Sequence, residues 1–383
     1  MAVAIVLGAG FGGIAAATRL RRRLAPQDEV ILIDRRGDFV MGLRKTWAIV
    51  GARPLREGVR QLATLREQGI DFRIGTIEAI DAARHRVRVD GTVMDADALV
   101  IALGAEQAPA AIPGLAEHGL NVWDRGTAAR AQAALGTFRG GRLMVGVFGV
   151  PYACPPGPFE LAMLAKENLD HRGIEAAVEV FGPMPIALPV VGAAESAKVE
   201  AMLEASGVVF HRGRKAIGVR GGLVQFEDGT EMGFDLLFAV PPHRCPQLLI
   251  DAGLAPSGGW VGVNRATLAT PFAGVYAVGD CTAITLAHGL PLPKAGVFAE
   301  AEGYVAAEMI AAELAGRAPE AAFAGEGACY AEVGGSLAME VRGRFLADPP
   351  AIEIVAPSAA AVAAKEAFES ERLIAWFGAS RPD

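Results

Sequence analysis

Four cysteines, Cys154, Cys245, Cys281 and Cys329, are the residues of this 383-residue chain most able to carry redox chemistry. None belongs to a C-x-x-C pair, which argues against a zinc site. Cys154 stands between prolines in YACPPGPFE (152–160) and Cys329 in GACYAEVGG (327–335). A free cysteine is often only a small buried apolar residue, and Cys245 and Cys281 read that way. A proline-bounded loop is a poor core position, so Cys154 reads as a working thiol. A thiolate can attack sulfur and release an electron pair. In a reducing cytoplasm a purely structural disulfide is uncommon, while a catalytic one is permitted.

These residues need a scaffold. The apolar run 143–148 predicts a buried strand, and 159–166 predicts the first turns of a helix. A protein binding two nucleotides would carry a second glycine fingerprint between them, but FGVPYACPPGP does not provide one. The first fingerprint is at the start of the chain. An apolar strand over 2–7 runs into Gly8, Gly10 and Gly13, then a helix over 11–24, then a strand over 30–33 ending at Asp34, 21 residues after Gly13. The glycines permit a tight turn and close approach to a pyrophosphate, the helix start faces the phosphates, and the acid accepts from a ribose hydroxyl. Asp34 would repel the 2′-phosphate that Arg35 and Arg36 suggest, so FAD or NAD fits better than NADP.

Two later segments separate these cofactors. DALVIALGA (97–105) turns at Gly104, and TPFAGVYAVGD (270–280) ends a strand at Gly279-Asp280. Both resemble the later FAD motifs of the two-dinucleotide-binding-domain flavoproteins, although Leu103 stands where Thr is usual. The resemblance implies that Asp280 bonds the ribityl chain. PLPKAGVFAEAE (291–302) predicts a helix to about residue 315, whose start and Lys294 would put positive charge beside reduced flavin.

YACPPGPFE and GACYAEVGG together resemble the sulfide:quinone oxidoreductases and the flavoprotein subunits of flavocytochrome c sulfide dehydrogenase. PPHRCP, LPKAGVFAEAEG and the terminal WFG extend the likeness over nearly the whole chain. It implies that Cys154 and Cys329 form the redox pair over the flavin, that hydrosulfide opens their disulfide, and that Glu160 is the acid/base and Lys294 part of the site. Relatives with covalent flavin use an early cysteine. The stretch 39–47 has none, so non-covalent FAD is expected.

The expected fold is α/β, with two Rossmann-like domains and a small C-terminal region. The boundaries are 1–108 with 268–318 for FAD, 109–267 for the second domain carrying Cys154, and 319–383 carrying Cys329. Net charge is -7 with no dominant basic patch, which sets nucleic acid aside. The first residues show no secretory signal and no apolar run reaches the roughly 20 residues of a membrane span, so the expectation is a cytoplasmic protein, with peripheral contact on the inner face of the cell membrane left open. The helix expected over 359–377 is the candidate for such contact, for packing on its own domain, or for a homodimer. Sulfide, or a related small sulfur species, is the expected donor, and a quinone or redox partner protein the acceptor. An NADH-dependent quinone or ferredoxin reductase, a subunit serving a cytochrome and a flavin-binding regulator are the alternatives.

Overall fold

The computed structural model describes residues 1–378, so the last five residues of the expected region 319–383 lie outside it. The principal elements, in chain order, are β1 (Val3–Leu7), α1 (Phe11–Arg23), β2 (Glu29–Asp34), α2 (Arg44–Val50), β3 (Asp71–Ile74), β4 (Ala98–Ile101), β5 (Leu120–Asn121), β6 (Gly141–Val147), α3 (Gly157–His171), β7 (Ala176–Phe181), β8 (Val208–His211), β9 (Leu236–Val240), β10 (Val275–Ala277), α4 (Gly296–Leu314), β11 (Glu326–Gly334), β12 (Leu337–Arg344), β13 (Ala351–Ser358) and α5 (Ala359–Phe377).

Two five-stranded parallel sheets carry the molecule. The first has the order β10-β4-β1-β2-β3 and the second β5-β9-β6-β7-β8. β1 lies between β2 and β4, and Ala4 to Leu7 are all buried, which is why its sequence is apolar without alternation. β10 pairs with β4 in parallel although more than 170 residues separate them, so the chain leaves the first sheet, builds the second and returns. Among the smaller sheets is an antiparallel meander, β11-β12-β13, followed by α5.

α1 and α4 cross at unusually close range. A Cβ on Gly303 would lie 2.3 Å from the Gly12 carbonyl oxygen, and one on Gly12 would lie 2.9 Å from Val278. Only hydrogen at these positions lets the helices touch backbone to backbone.

The helix expected over 359–377 forms with those bounds, as α5, and its buried stripe mixes apolar and charged side chains. Ala361, Lys365, Glu369, Leu373 and Trp376 face inward, while Ile374 stands out, 57% exposed. Trp376 meets Phe11 and Phe39 edge-on at centroid distances of 5.6 and 5.7 Å. α5 therefore braces the start of α1 with its own apolar side chains. No helix among the described residues is long and apolar enough to cross a membrane.

Candidate active site

The strands β1, β4 and β10 all end at one edge of the first sheet, where parallel α/β folds bind ligands. Gly8 (φ +100°) turns the chain there, and a Cβ on it would sit 2.4 Å from the Ala102 carbonyl oxygen. Gly13 is tighter still, with a Cβ position 1.8 Å from the Gly8 oxygen. Gly10, the cap of α1, has open space at its Cβ position, and no side chain caps the helix. The N–H groups of the first turn are thus available to a phosphate. Asp34 accepts from the Ala9 N–H at 2.8 Å and the Arg36 N–H at 2.9 Å, which fixes its carboxylate while leaving lone pairs for a ribose. Arg35 is exposed. Gly104 (φ +65°) again opens onto free space. Gly279 takes φ +76° and its N–H donates to Glu302. These residues fit a dinucleotide such as FAD.

Lys294 is not a surface lysine. It is 6% exposed, lies 3.5 Å from the centre of the Trp260 ring, and its Nζ donates to the Asp280 carbonyl at 2.5 Å. Burial pushes its ammonium down, opposed by Asp280. Burial pushes the Asp280 carboxyl up, opposed by Lys294 and Lys45.

The Lys294 backbone also positions the first thiol. Ala153 bridges to Lys294 in parallel, and the Cys154 N–H donates to the Lys294 carbonyl at 2.7 Å. The loop around Cys154 (φ +56°) has no donor to offer a phosphate. Pro155, Pro156 and Pro158 lack an N–H. Gly157 N–H is taken by the Cys154 carbonyl, and those of Phe159 and Glu160 by the Pro156 carbonyl. Where a second nucleotide would be cradled, the chain presents a thiol. Cys154 is the most accessible of the four cysteines.

Cys329 lies on β11 opposite Val341, half-buried. Burial pushes its thiol up to about 12, and charge on Cys154 raises it further. Burial pushes Cys154 up to about 11, with Glu160 raising it and Lys365 and Lys45 lowering it. Cys245 and Cys281 are buried in the apolar layer on the other side of the first sheet.

Glu160 is only 3% exposed, in the first turn of α3. Its Oε1 accepts from the Glu332 N–H at 2.9 Å and from the Lys365 ammonium, which also reaches Glu332 Oε1 at 2.9 Å. The Trp47 indole N–H donates to that same Glu332 oxygen. Burial pushes Glu160 up, with Lys365 opposing. Burial alone would lower Lys365, but Glu160 and Glu332 more than offset it and hold the ammonium protonated. A carboxyl raised in this way, close enough to perturb Cys154, suits proton transfer.

Glu332, Lys365 and Glu302 belong to this site, and reading motifs alone did not single them out. Lys365 carried one signal, a charge that shares the inward stripe of its helix with Ala361, Leu373 and Trp376. Glu302 carried another, a carboxyl beside the small residues of the α1–α4 crossing. It is 1% exposed and burial pushes it up to about 8. Lys45 is a fourth addition. Its Nζ donates to the Trp123 carbonyl at 2.6 Å, and the Trp123 indole donates to the Ala153 carbonyl at 2.7 Å.

The sequence matches the pyridine nucleotide-disulphide oxidoreductase family over residues 2–303. The chain belongs to that family. It is a flavin-dependent oxidoreductase of α/β fold with Rossmann-like sheets. Among curated relatives it is similar to the mitochondrial sulfide:quinone oxidoreductase of Mus musculus, 25% identical over 297 residues, covering 73% of this chain and 65% of that protein. The match thus spans slightly under two thirds of that relative's length. Among solved structures, the sulfide:quinone oxidoreductase of Aquifex aeolicus superposes with a TM-score of 0.88 at 23% identity, covering 98% of this chain and 92% of that one. An NAD-dependent persulfide reductase from A. fulgidus superposes with a TM-score of 0.69 at 21% identity, covering 89% and 64%. The expected family resemblance is thus met by the curated relative, and its fold by the solved structure.

Proposed function

We propose that this protein oxidises hydrosulfide, or a related small sulfur anion, through Cys154 and Cys329 and passes the electrons by way of non-covalent FAD to a quinone. In this reading residues 1–108 and 268–318 hold the FAD, 109–267 carry Cys154, and 319–383 carry Cys329. One observation carries it. Every backbone position from Cys154 to Glu160 either lacks an N–H or has it internally bonded, so the loop offers a thiol in place of a nicotinamide cradle.

In the oxidised site the two cysteines form a disulfide. Hydrosulfide attacks the more accessible Cys154 sulfur, a new S–S bond forms there, and Cys329 leaves as a thiolate with the electron pair. Glu160 takes up the proton of the incoming sulfur, and Lys365 keeps its charge change small. A second hydrosulfide removes the outer sulfur as a disulfane, leaving both cysteines reduced. The FAD, held by Gly8 to Gly13, Asp34, Gly104 and the Gly279-Asp280 turn, supplies the two-electron acceptor that restores the disulfide and the donor for a quinone.

Anaerobic sulfide should bleach the flavin of the purified protein, and adding a short-chain quinone should restore its colour. Cys154→Ser and Cys329→Ser should each abolish the bleaching. Rapid bleaching by NADH with none by sulfide would overturn the reading. Bleaching by sulfide without reoxidation by quinone would assign the electrons to a partner protein instead.

A further inference from the structure

The first two side chains of α2 point to different places. Arg44 is buried and forms a two-pronged pair with Glu369. Lys45 instead reaches Trp123, the residue whose indole braces the chain beside Cys154. Its ammonium has one hydrogen bond, to the Trp123 carbonyl, and among the described residues no carboxylate pairs with it. Two of its three N–H donors remain for something else.

Trp123 fixes where that ammonium lies relative to the thiol. The same residue that accepts from Lys45 donates its indole N–H to Ala153, the neighbour of Cys154. A Cβ built on Gly157 would lie 2.8 Å from the Trp123 ring and 3.3 Å from Cys154 Sγ, so sulfur and indole flank one point. The charged and titratable groups facing Lys45 are Cys154, Asp124, Arg36, Asp280 and His243. His243 is kept neutral, its burial pulling it down to about 4, and its Nδ1 is engaged by the Pro241 carbonyl at 2.9 Å. Lys294, the other nearby cation, is bonded to the Asp280 carbonyl. Burial pulls Lys45 down to about 8, opposed first by Cys154, as expected of a cation without its counterion.

We propose that Lys45 is the anion receptor of the thiol site, holding the sulfur substrate as its anion against Cys154 and stabilising the Cys154 thiolate released when the second hydrosulfide carries off the outer sulfur. The substrate class is a small monoanionic sulfur nucleophile: hydrosulfide, a low-molecular-weight thiolate or its persulfide. This rests on the reading of Cys154 as the attacked sulfur. Lys45 acts by charge and position and transfers no electrons.

The test uses Lys45→Met and Lys45→Arg in the flavin-bound protein. With the cysteines reduced, the pH profile of Cys154 alkylation by iodoacetamide, followed on the Cys154 peptide, reports the thiolate. Sodium sulfide titration of flavin bleaching reports substrate capture. Lys45→Met should move the alkylation midpoint up by about one pH unit, an about tenfold loss of rate below it, and raise half-saturating sulfide about tenfold. Its bleaching rate at saturating sulfide should fall much less. Lys45→Arg should keep both quantities within about threefold of wild type. An alkylation profile and half-saturation in Lys45→Met equal to wild type would overturn the proposal while leaving the thiol reading intact. Sulfide bleaching of Cys154→Ser would overturn the thiol reading and this proposal with it.

Discussion

Glu302 offers a measurement that isolates one buried carboxyl. It is 1% exposed, on the face of α4 that meets the Gly279-Asp280 turn, and its Oε2 accepts from the Gly279 N–H at 2.5 Å. Burial pushes it up to about 8, with the Gly279 bond opposing and Asp280 assisting. The folded pKa is therefore above the unfolded value of 4.5, and the folded state holds a proton that the unfolded state releases. Stability linked to this group is full below the unfolded value and is lost as pH rises, until the folded carboxyl itself ionises near 8. Each pH unit inside that window is worth about 1.4 kcal/mol, and the stretch from pH 6 to 8 about 2 kcal/mol. Glu302→Gln keeps an acceptor for Gly279 and removes the titration. Urea unfolding of both flavin-bound proteins at pH 6, 7 and 8 should show wild type losing about 2 kcal/mol more than the variant across the range. Groups common to both proteins, His243 among them, cancel in the difference. Parallel pH dependences would refute the assignment of Glu302 as a carboxyl held neutral in the fold.

Lys365→Met leaves Glu160 and Glu332 buried without their cation and should cost about 3 kcal/mol in chemical denaturation at neutral pH. Part of that loss should return on acidification, because Glu160 is already displaced upward, and adding Glu160→Gln to the variant should recover stability at pH 7. Gly13→Ala places a methyl where the Gly8 oxygen lies 1.8 Å away, so the protein should purify without the visible absorbance of flavin. Trp376→Ala removes a fully buried ring set edge-on to Phe11 and Phe39 and should cost about 3 kcal/mol in the same unfolding assay.

The parts legible in the sequence are those whose cause is local. A strand that must be buried on both faces reads as AVAIVL, and a helix start that must approach phosphate reads as glycine at 8, 10 and 13. The helix over 359–377 was visible in the sequence and forms with those bounds. What periodicity hid was the inward face of α5, because Lys365 and Glu369 read as solvated charges until their partners are known. Glu160 lies 205 residues from Lys365, and Arg44 lies 325 from Glu369. No local pattern encodes an ion pair at such separation. It follows from β11 and α5 folding back over α3 and α2.

The same reasoning shows why three prolines speak for the chemistry as strongly as the cysteine they flank. A glycine-rich loop binds a pyrophosphate with backbone N–H groups left free by the turn. Pro155, Pro156 and Pro158 delete three of those donors, and the carbonyls of Cys154 and Pro156 take the remaining ones. One substitution toward glycine would restore one donor, but the Gly157 bond to Cys154 and the Cys154 bond to Lys294 would still hold the loop closed over the thiol. A single Pro156→Gly variant should thus gain no reduction by NADH, and a stopped-flow trace of flavin bleaching would show it. A measurable NADH rate in that variant would mean that the loop remains a nucleotide site with one donor missing, and that the thiol had been added beside it.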